Sequence, residues 1–193
     1  LGNIFSDQGN YPEALKEYFA ALTVFEEIGD KNNIANCHSF LGMIYHRQGN
    51  YSEAMKEYLI TLKIQEKIGD KHGVSNSRNN IGSLYVNQGN YSEALKEFFI
   101  ALKMKKAFGD KDGIATAYNN LGVIYEFQSE FEEALKVHFA ALKIREEIQD
   151  KYGIACCQLN IGLVYVKQTQ LKKGNKELHK GLKLAKEIGH KEL

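Results

Sequence analysis

The sequence predicts an all-α protein built from antiparallel helix pairs that stack one after another. The chain repeats itself with a period of 40 residues, and each repeat holds two stretches whose apolar residues recur at helical spacing. A fixed period between about 20 and 50 residues is typical of solenoid and array proteins. A single proline, Pro12, among 193 residues leaves long helices uninterrupted.

The repeat is visible in columns of equivalent residues. An aliphatic residue and a glycine recur together at Leu1-Gly2, Leu41-Gly42, Ile81-Gly82, Leu121-Gly122 and Ile161-Gly162. An aromatic residue stands three positions after each glycine, at Phe5, Tyr45, Tyr85, Tyr125 and Tyr165. These columns predict a single array over residues 1–193, with units 1–30, 31–70, 71–110, 111–150 and 151–190. Because the first unit starts in the middle of its first helix, we expect the chain to be a piece of a longer protein.

The first half of each unit predicts one helix. In the unit 31–70, apolar residues at positions 34, 37, 41, 44 and 45 follow the helical period, and Gly49 is a suitable C-cap. We expect positions 34, 38, 41 and 45 to be buried, because they share one face of the helix. Positions 36, 39, 40, 43 and 47 then point to other sides.

The second half of each unit predicts the partner helix. Asn50 and Glu53 have the form of a capping box at its start, and Gly69 followed by Asp70 supplies its end and the start of the next unit. We expect its apolar face to comprise Tyr51, Ala54, Met55, Tyr58, Leu59, Leu62 and Ile68. The small residues of the Gly42 and Ala54 columns would let the two helices approach closely.

Composition and charge exclude several classes of function. The 25 basic and 24 acidic residues give a net charge of +1, which excludes a polybasic arm for nucleic acid or a membrane surface. No apolar run approaches the roughly 20 residues of a spanning helix. The three cysteines, Cys37, Cys156 and Cys157, are an odd number whose adjacent pair cannot form an unstrained bridge. We therefore expect a protein of the reducing cytoplasm.

The columns resemble the tetratricopeptide repeat. That family's pattern of leucine-glycine, aromatic, alanine, aromatic, alanine is matched at Leu121-Gly122, Tyr125, Ala134, His138 and Ala141, and again at Leu41-Gly42, Tyr45, Ala54, Tyr58 and Thr61. The family's tryptophan is replaced by His38, Arg78, Tyr118 and Gln158, and its proline after the second helix is missing. The period of 40 also exceeds the roughly 34 residues typical of the family.

The longer period resembles a subclass that includes kinesin light chain, mitotic adaptors with leucine-glycine-asparagine repeats, and bacterial signalling proteins. The linker at Ile68 to Ser75 and at Phe108 to Ala115 resembles the bacterial examples most. The resemblance implies a right-handed α-α superhelix of about five antiparallel helix pairs. It also implies that the first helices line the concave surface.

Asparagines recur on the exposed side of these first helices, and they are the candidate binding residues. Asparagine is a mediocre helix former, so its repeated presence in helix interiors needs an explanation. Its amide both donates and accepts, and so can pair with the backbone of an extended peptide. With Arg47 as a possible anchor for an acidic side chain, the candidates are Asn36, Asn76, Asn79, Asn80, Asn87, Asn119, Asn120, Asn160 and Arg47.

An alternative interpretation remains for some of these residues. The amides of Asn80, Asn120 and Asn160 could instead bond to a neighbouring helix and hold the geometry between repeats. Arg47 and Arg78 could likewise be solvated or locally paired charges. The mixed charge of the face favours a neutral or mixed-charge protein or peptide partner.

The sequence predicts neither catalysis nor a cofactor. His38 and His46 lie about 12 Å apart along one helix, too far to share a zinc ion. Cys156 and Cys157 lack the spacing of a metal or redox motif, and no phosphate-binding glycine loop occurs. The lysine-rich last helix is better explained as the polar cap of an array than as a nucleic-acid site.

We therefore expect a non-catalytic interaction module that binds a peptide segment or a partner helix in its concave groove. The alternative is a regulatory or sensory segment of a larger bacterial signalling protein, such as a histidine kinase, a cyclase or a quorum-sensing peptide receptor.

Overall fold

The computed structural model describes Gly2, Ser6 and residues 9–189. Every regular element in these residues is an α-helix. They are α1 (Tyr11–Ile28), α2 (Lys31–Arg47), α3 (Tyr51–Ile68), α4 (Lys71–Asn87), α5 (Tyr91–Phe108), α6 (Lys111–Phe127), α7 (Phe131–Glu147), α8 (Lys151–Lys167) and α9 (Leu171–Glu187). Most of the residues predicted to form the first helix of unit 1–30 lie outside the described residues; the two that are described, Gly2 and Ser6, are helical and buried.

The helices fall into two compact units, an N-terminal unit of Leu1–Ala101 and a C-terminal unit of Leu102–Leu193, with the boundary inside α5. In the N-terminal unit α1 packs on α2, α2 on α3, and α3 on α4. In the C-terminal unit α6 packs on α7, α7 on α8, and α8 on α9. Within both units, helices that are neighbours in the sequence thus pack on one another, which confirms the predicted helix pairs. That all units form a single array stays a prediction.

The core clusters of both compact units lie where helices that follow one another in the sequence meet. One cluster of the N-terminal unit joins α1 and α2 through Ala14, Tyr18, Leu22, Cys37, Leu41 and Ile44. Tyr18 stacks on Phe40 with 5.0 Å between ring centroids. In the C-terminal unit, Ala115, Ala141 and Cys157 bring α6, α7 and α8 together.

The buried face of the first helix is wider than the sequence predicts. In α2 the buried positions are 35, 37, 41, 42 and 44, whereas Ile34, His38 and Tyr45 are only half buried. The reason is that α2 packs against both α1 and α3, so its contacts cover two flanks rather than one stripe. On the partner helix, Leu59 was expected in the apolar face but is 50% exposed.

Glycine allows each pair of helices to approach closely, as the Gly42 column predicts. A Cβ atom on Gly42 would lie 2.7 Å from the ring of Tyr58, well inside van der Waals contact. The same relation holds at Gly82, where a Cβ would lie 2.7 Å from the ring of Phe98. The aromatic residue of the second helix therefore occupies the space that a side chain on the first helix would need.

The helix ends follow one prediction and contradict another. Asp70 caps α4 as expected, since its Oδ1 accepts from the N–H of Gly73 at 2.9 Å, and Gly69 ends α3 with φ of 74°. The capping box at Asn50 is wrong, because the Asn50 side chain accepts no capping bond. The N–H of Asn50 instead donates to the carbonyl of Tyr45 at 2.9 Å, and Glu53 accepts from Lys56.

Candidate functional site

All nine candidate binding residues lie on first helices, and none of them is fully buried. Asn36, Arg47, Asn76 and Asn87 are exposed, whereas Asn79, Asn80, Asn119, Asn120 and Asn160 are half buried. The N-terminal unit carries six of them on α2 and α4, and the C-terminal unit carries Asn119, Asn120 and Asn160 on α6 and α8. The described surface of both units therefore leaves these side chains within reach of a ligand.

Hydrogen bonds connect consecutive first helices at a spacing of 41 residues. Asn160 Nδ2 donates to Asn119 Oδ1 at 2.7 Å, between α8 and α6. Lys167 Nζ donates to Glu126 Oε2 at 2.8 Å between the same two helices. For Asn160 the structure thus contains the inter-helix bond of the alternative interpretation, and this bond also uses the acceptor of Asn119.

The N-terminal unit has an equivalent bond between α2 and α4. Asn87 Nδ2 lies 2.6 Å from His46 Nε2, again at a spacing of 41 residues. Burial lowers the pKa of His46, which favours the neutral imidazole whose Nε2 can accept this bond. Asn87 therefore also has an inter-helix bond. Arg78 is locally paired, since its Nη1 donates to Glu97 at 3.0 Å.

A buried polar network lies beneath the candidate face of the C-terminal unit. His138 is fully buried on α7, and its Nε2 donates to Glu126 Oε1 at 3.1 Å, while Lys167 donates to the other carboxylate oxygen. Burial alone would raise the pKa of Glu126, but the hydrogen bonds from His138 and Lys167 outweigh it and hold that pKa below its ordinary value. Glu126 is thereby kept as the carboxylate that positions Lys167.

Sequence reasoning missed Arg145, which organises a polar corner of the C-terminal unit. It lies near the end of α7 with its side chain 13% exposed. Its Nη2 donates to Thr116 Oγ1 at 2.7 Å, and its Nη1 donates to Asp150 Oδ2 at 2.8 Å and also to Asp112 Oδ1. One guanidinium therefore joins α6 and the cap of α8 to α7.

A repeated polar column was the available signal for this corner. On the second helices, the equivalent positions 65, 105 and 145 hold the polar residues Gln65, Lys105 and Arg145. Each stands one turn after a buried small residue and therefore on the same helix face, where an apolar residue would be expected. Each of these polar side chains lies directly over a glycine of the following first helix, namely Gly73, Gly113 and Gly153. Without a Cβ on these glycines, the long side chains reach the helix start: Lys105 Nζ donates to Asp110 Oδ2 at 3.2 Å.

A cavity of about 370 Å³ opens beside Arg145. Its walls come from α6, from the end of α7 and from the first turns of α8, and they include Asp112, Thr116, Asn119, Arg145, Tyr152 and Cys156. Asn119 is a candidate residue, and Thr116 and Cys156 continue the column of Asn36 and Asn76. The cavity therefore belongs to the candidate face of the C-terminal unit.

The cysteines at this cavity are protonated thiols at neutral pH. Burial raises the pKa of Cys157 to about 11 and also raises the pKa of Cys156. Thiols in this state are poor nucleophiles and poor metal ligands. Within the described part of the chain, no three side chains of the metal-ligating types converge on one point.

Comparison with protein families decides which kind of repeat this chain contains. The sequence model of the tetratricopeptide repeat matches residues 1–67, 42–107, 73–147 and 113–187, which together span nearly the whole chain. The chain belongs to the tetratricopeptide repeat family. The predicted family and the predicted all-α class are thereby confirmed, and the array's tryptophan-free, 40-residue units are a variant within it.

Solved structures show the same tetratricopeptide fold at low sequence identity. BtubC (BKLC) from P. vanneervenii is 23% identical with a TM-score of 0.84, covering 98% of this chain and 78% of that protein. Aspartyl phosphate phosphatase F from Bacillus subtilis is 17% identical with a TM-score of 0.89, covering 97% and 49%. The Rap conjugation gene regulator of plasmid pLS20, in complex with the Phr* peptide, is 18% identical with a TM-score of 0.83, covering 97% and 52%. This chain thus spans about half the length of the last two proteins.

No curated protein matches this sequence. Among its described helices, none combines the length and the hydrophobicity that crossing a membrane requires.

Proposed function

We propose that this tetratricopeptide array is a non-catalytic interaction module that binds a peptide segment or a partner helix along its first helices. The observation that carries the proposal is the recurrence of asparagines on α2 and α4 of the N-terminal unit and on α6 and α8 of the C-terminal unit, of which none is fully buried. Asparagine weakens a helix interior, and a role in binding explains why it recurs there. The proposed contacts are those of Asn36, Asn76, Asn79, Asn80, Asn87, Asn119, Asn120, Asn160 and Arg47.

The Asn119–Asn160 pair supports peptide backbone recognition in particular. The bond from Asn160 Nδ2 to Asn119 Oδ1 fixes the orientation of both amides. Asn119 keeps its NH₂ group as a donor, and Asn160 keeps its Oδ1 as an acceptor. A peptide unit presents the complementary C=O and N–H, so this pair can receive one peptide group whatever the peptide's side chains are.

Two structural neighbours in complex with a partner support a peptide ligand here. One is a Rap protein complexed with competence and sporulation factor, and the other is the pLS20 regulator complexed with the Phr* peptide. We propose the same class of partner here, and the mixed charge of the face favours one without strong net charge. We further propose a cytoplasmic location, no cofactor, no nucleic-acid or membrane ligand, and no phosphatase activity of the kind that phosphatase F is named for.

In the experiment, peptides that bind the wild-type chain are first selected from a random displayed library. We expect Asn119→Ala together with Asn160→Ala to weaken their binding by about thirtyfold, because two hydrogen bonds worth about 1 kcal/mol each are lost. Fluorescence polarisation measures the affinity. Asn175→Ala is the matched control, since Asn175 is also helical and lies on the exposed side of α9. An unchanged affinity in a folded double variant would contradict the proposal.

A further inference from the structure

The corner around Arg145 has an unbalanced charge. Two carboxylates, Asp112 and Asp150, share one guanidinium, so the group carries a net charge of −1. Asp150 is committed to the fold, because its Oδ1 caps α8 by accepting from the N–H of Gly153 at 3.0 Å. Asp112 is different: it uses Oδ1 on Arg145, and its side chain is 71% exposed. A carboxylate has lone pairs on both oxygens, so Asp112 can accept further hydrogen bonds through Oδ2.

The cavity beside this corner combines that acidic rim with an apolar floor. Ala115 and Cys157, which are almost fully buried, form part of the floor together with the half-buried Cys156. Its volume of about 370 Å³ is at the lower end of the range for ligand pockets, about 300–1,000 Å³. A space of this size suits one long side chain rather than a whole folded segment.

The two properties together select the chemistry of the occupant. Lysine and arginine have an aliphatic stem, which packs on apolar surface, and a cationic head, which stays near the polar edge. A carboxylate ligand would be repelled by Asp112 and Asp150, which outnumber Arg145, and the donors of Arg145 already serve three acceptors. A neutral aliphatic side chain would leave the net negative charge of the rim unpaired.

We propose that this cavity is the subsite for a lysine or arginine side chain of the bound peptide, with Asp112 as the group that pairs with its charge. The inference rests on the proposed peptide-binding function and gives the C-terminal unit a preference for a basic residue. Asn119 lines the same cavity, so the amide pair described above can hold the peptide backbone beside that basic residue.

The test uses blocked alanine peptides that differ at one central position, which is arginine, lysine, norleucine or glutamate. They are titrated into the isotopically labelled 193-residue chain, and amide NMR shifts report both the affinity and the place of binding. We expect the arginine and lysine peptides to shift the amides of Thr116, Asn119 and Gly153. Norleucine, which has the stem without the charge, should bind about threefold to tenfold more weakly, and glutamate more weakly still.

Two variants separate the charge of Asp112 from its role in the fold. Asp112→Asn should remove the preference for arginine over norleucine, whereas Asp112→Glu should retain it. Glu132→Gln is the matched control, because Glu132 is likewise an exposed acid in the first turn of a helix of the same unit. Thermal melting checks that each variant is folded.

The outcomes distinguish this inference from the proposed function. Peptides that bind the asparagine face equally well with arginine, norleucine or glutamate would overturn the basic subsite and leave the peptide-binding module standing. The same holds if shifts appear away from Thr116 and Gly153, or if Asp112→Asn keeps the preference. If library-selected peptides bind with no dependence on the asparagines, the proposed function itself fails.

Discussion

At the scale of single residues, buried polar groups hold the helices of the C-terminal unit together, and each of these groups is paired with a partner. Glu126 sits between His138 and Lys167, and Arg145 sits among Asp112, Asp150 and Thr116. Groups of this kind would be costly to bury alone, and each has its charge met by a partner on another helix. They therefore fix how α6, α7 and α8 are placed relative to one another.

Glu126 makes the stability of the C-terminal unit depend on pH. Its pKa is lower in the folded state than the ordinary value of 4.5, so its contribution is present above that value and is lost as the pH falls through the folded pKa. We expect Glu126→Gln to lower the melting temperature at neutral pH and to have little effect once the wild-type carboxylate is protonated. Melting curves of both proteins across this range test it. A difference that stays constant down to the lowest pH would contradict this assignment.

At the scale of helices, two sequence rules explain where each helix starts and how near its partner lies. Aspartate caps the first helices, since Asp30, Asp70, Asp110 and Asp150 each accept from the N–H three residues further on. Because glycine has no side chain, the first helix can lie directly against the aromatic ring of the second helix. The two devices recur with the same period as the helices.

The caps differ in strength between the two kinds of helix. We expect Asp70→Ala to destabilise the chain by about 0.5–2 kcal/mol, because an N-cap bond to Gly73 is lost. Asn50→Ala is the matched control, and should cost much less because the Asn50 side chain makes no capping bond. Chemical denaturation of the two variants provides the comparison. Equal losses would show that the bond to Gly73 is not the source of the effect.

The close approach of α4 and α5 predicts a strong effect at Gly82. Alanine favours a helix over glycine by about 1 kcal/mol. At Gly82, however, its Cβ would lie 2.7 Å from the ring of Phe98, which is buried and cannot swing away. We therefore expect Gly82→Ala to destabilise the chain, by about 1–3 kcal/mol, and Phe98→Leu in the same chain to recover part of the loss. A Gly82→Ala protein more stable than the wild type would refute the argument.

At the scale of the whole molecule, the repeat period accounts for most of what the sequence could predict. Helix pairs, glycine contacts and aspartate caps all follow from residues within one unit, so one column predicts them in every copy. The Asn50 capping box failed because the N–H of Asn50 had a competing acceptor at Tyr45. The corner at Arg145 was missed because only its bond to Asp150 is local, whereas its partners Asp112 and Thr116 lie 33 and 29 residues away on another helix.

The bonds at a spacing of 41 residues bear on how such an array can evolve. The spacing of 41 exceeds the repeat period of 40 by one residue, so the two residues of each bond belong to different columns of the repeat. Each repeat therefore supplies one partner of a bond, and the neighbouring repeat supplies the other. Copies are therefore not interchangeable modules. If recombination removed residues 111–150, Val86 would replace Glu126 as the partner of Lys167 and could not accept its hydrogen bond. Asn79 would replace Asn119 as the partner of Asn160 and could accept the bond. The asparagine columns would therefore tolerate gain and loss of repeats. The pair Lys167–Glu126 would form only when these two repeats follow each other in the present order.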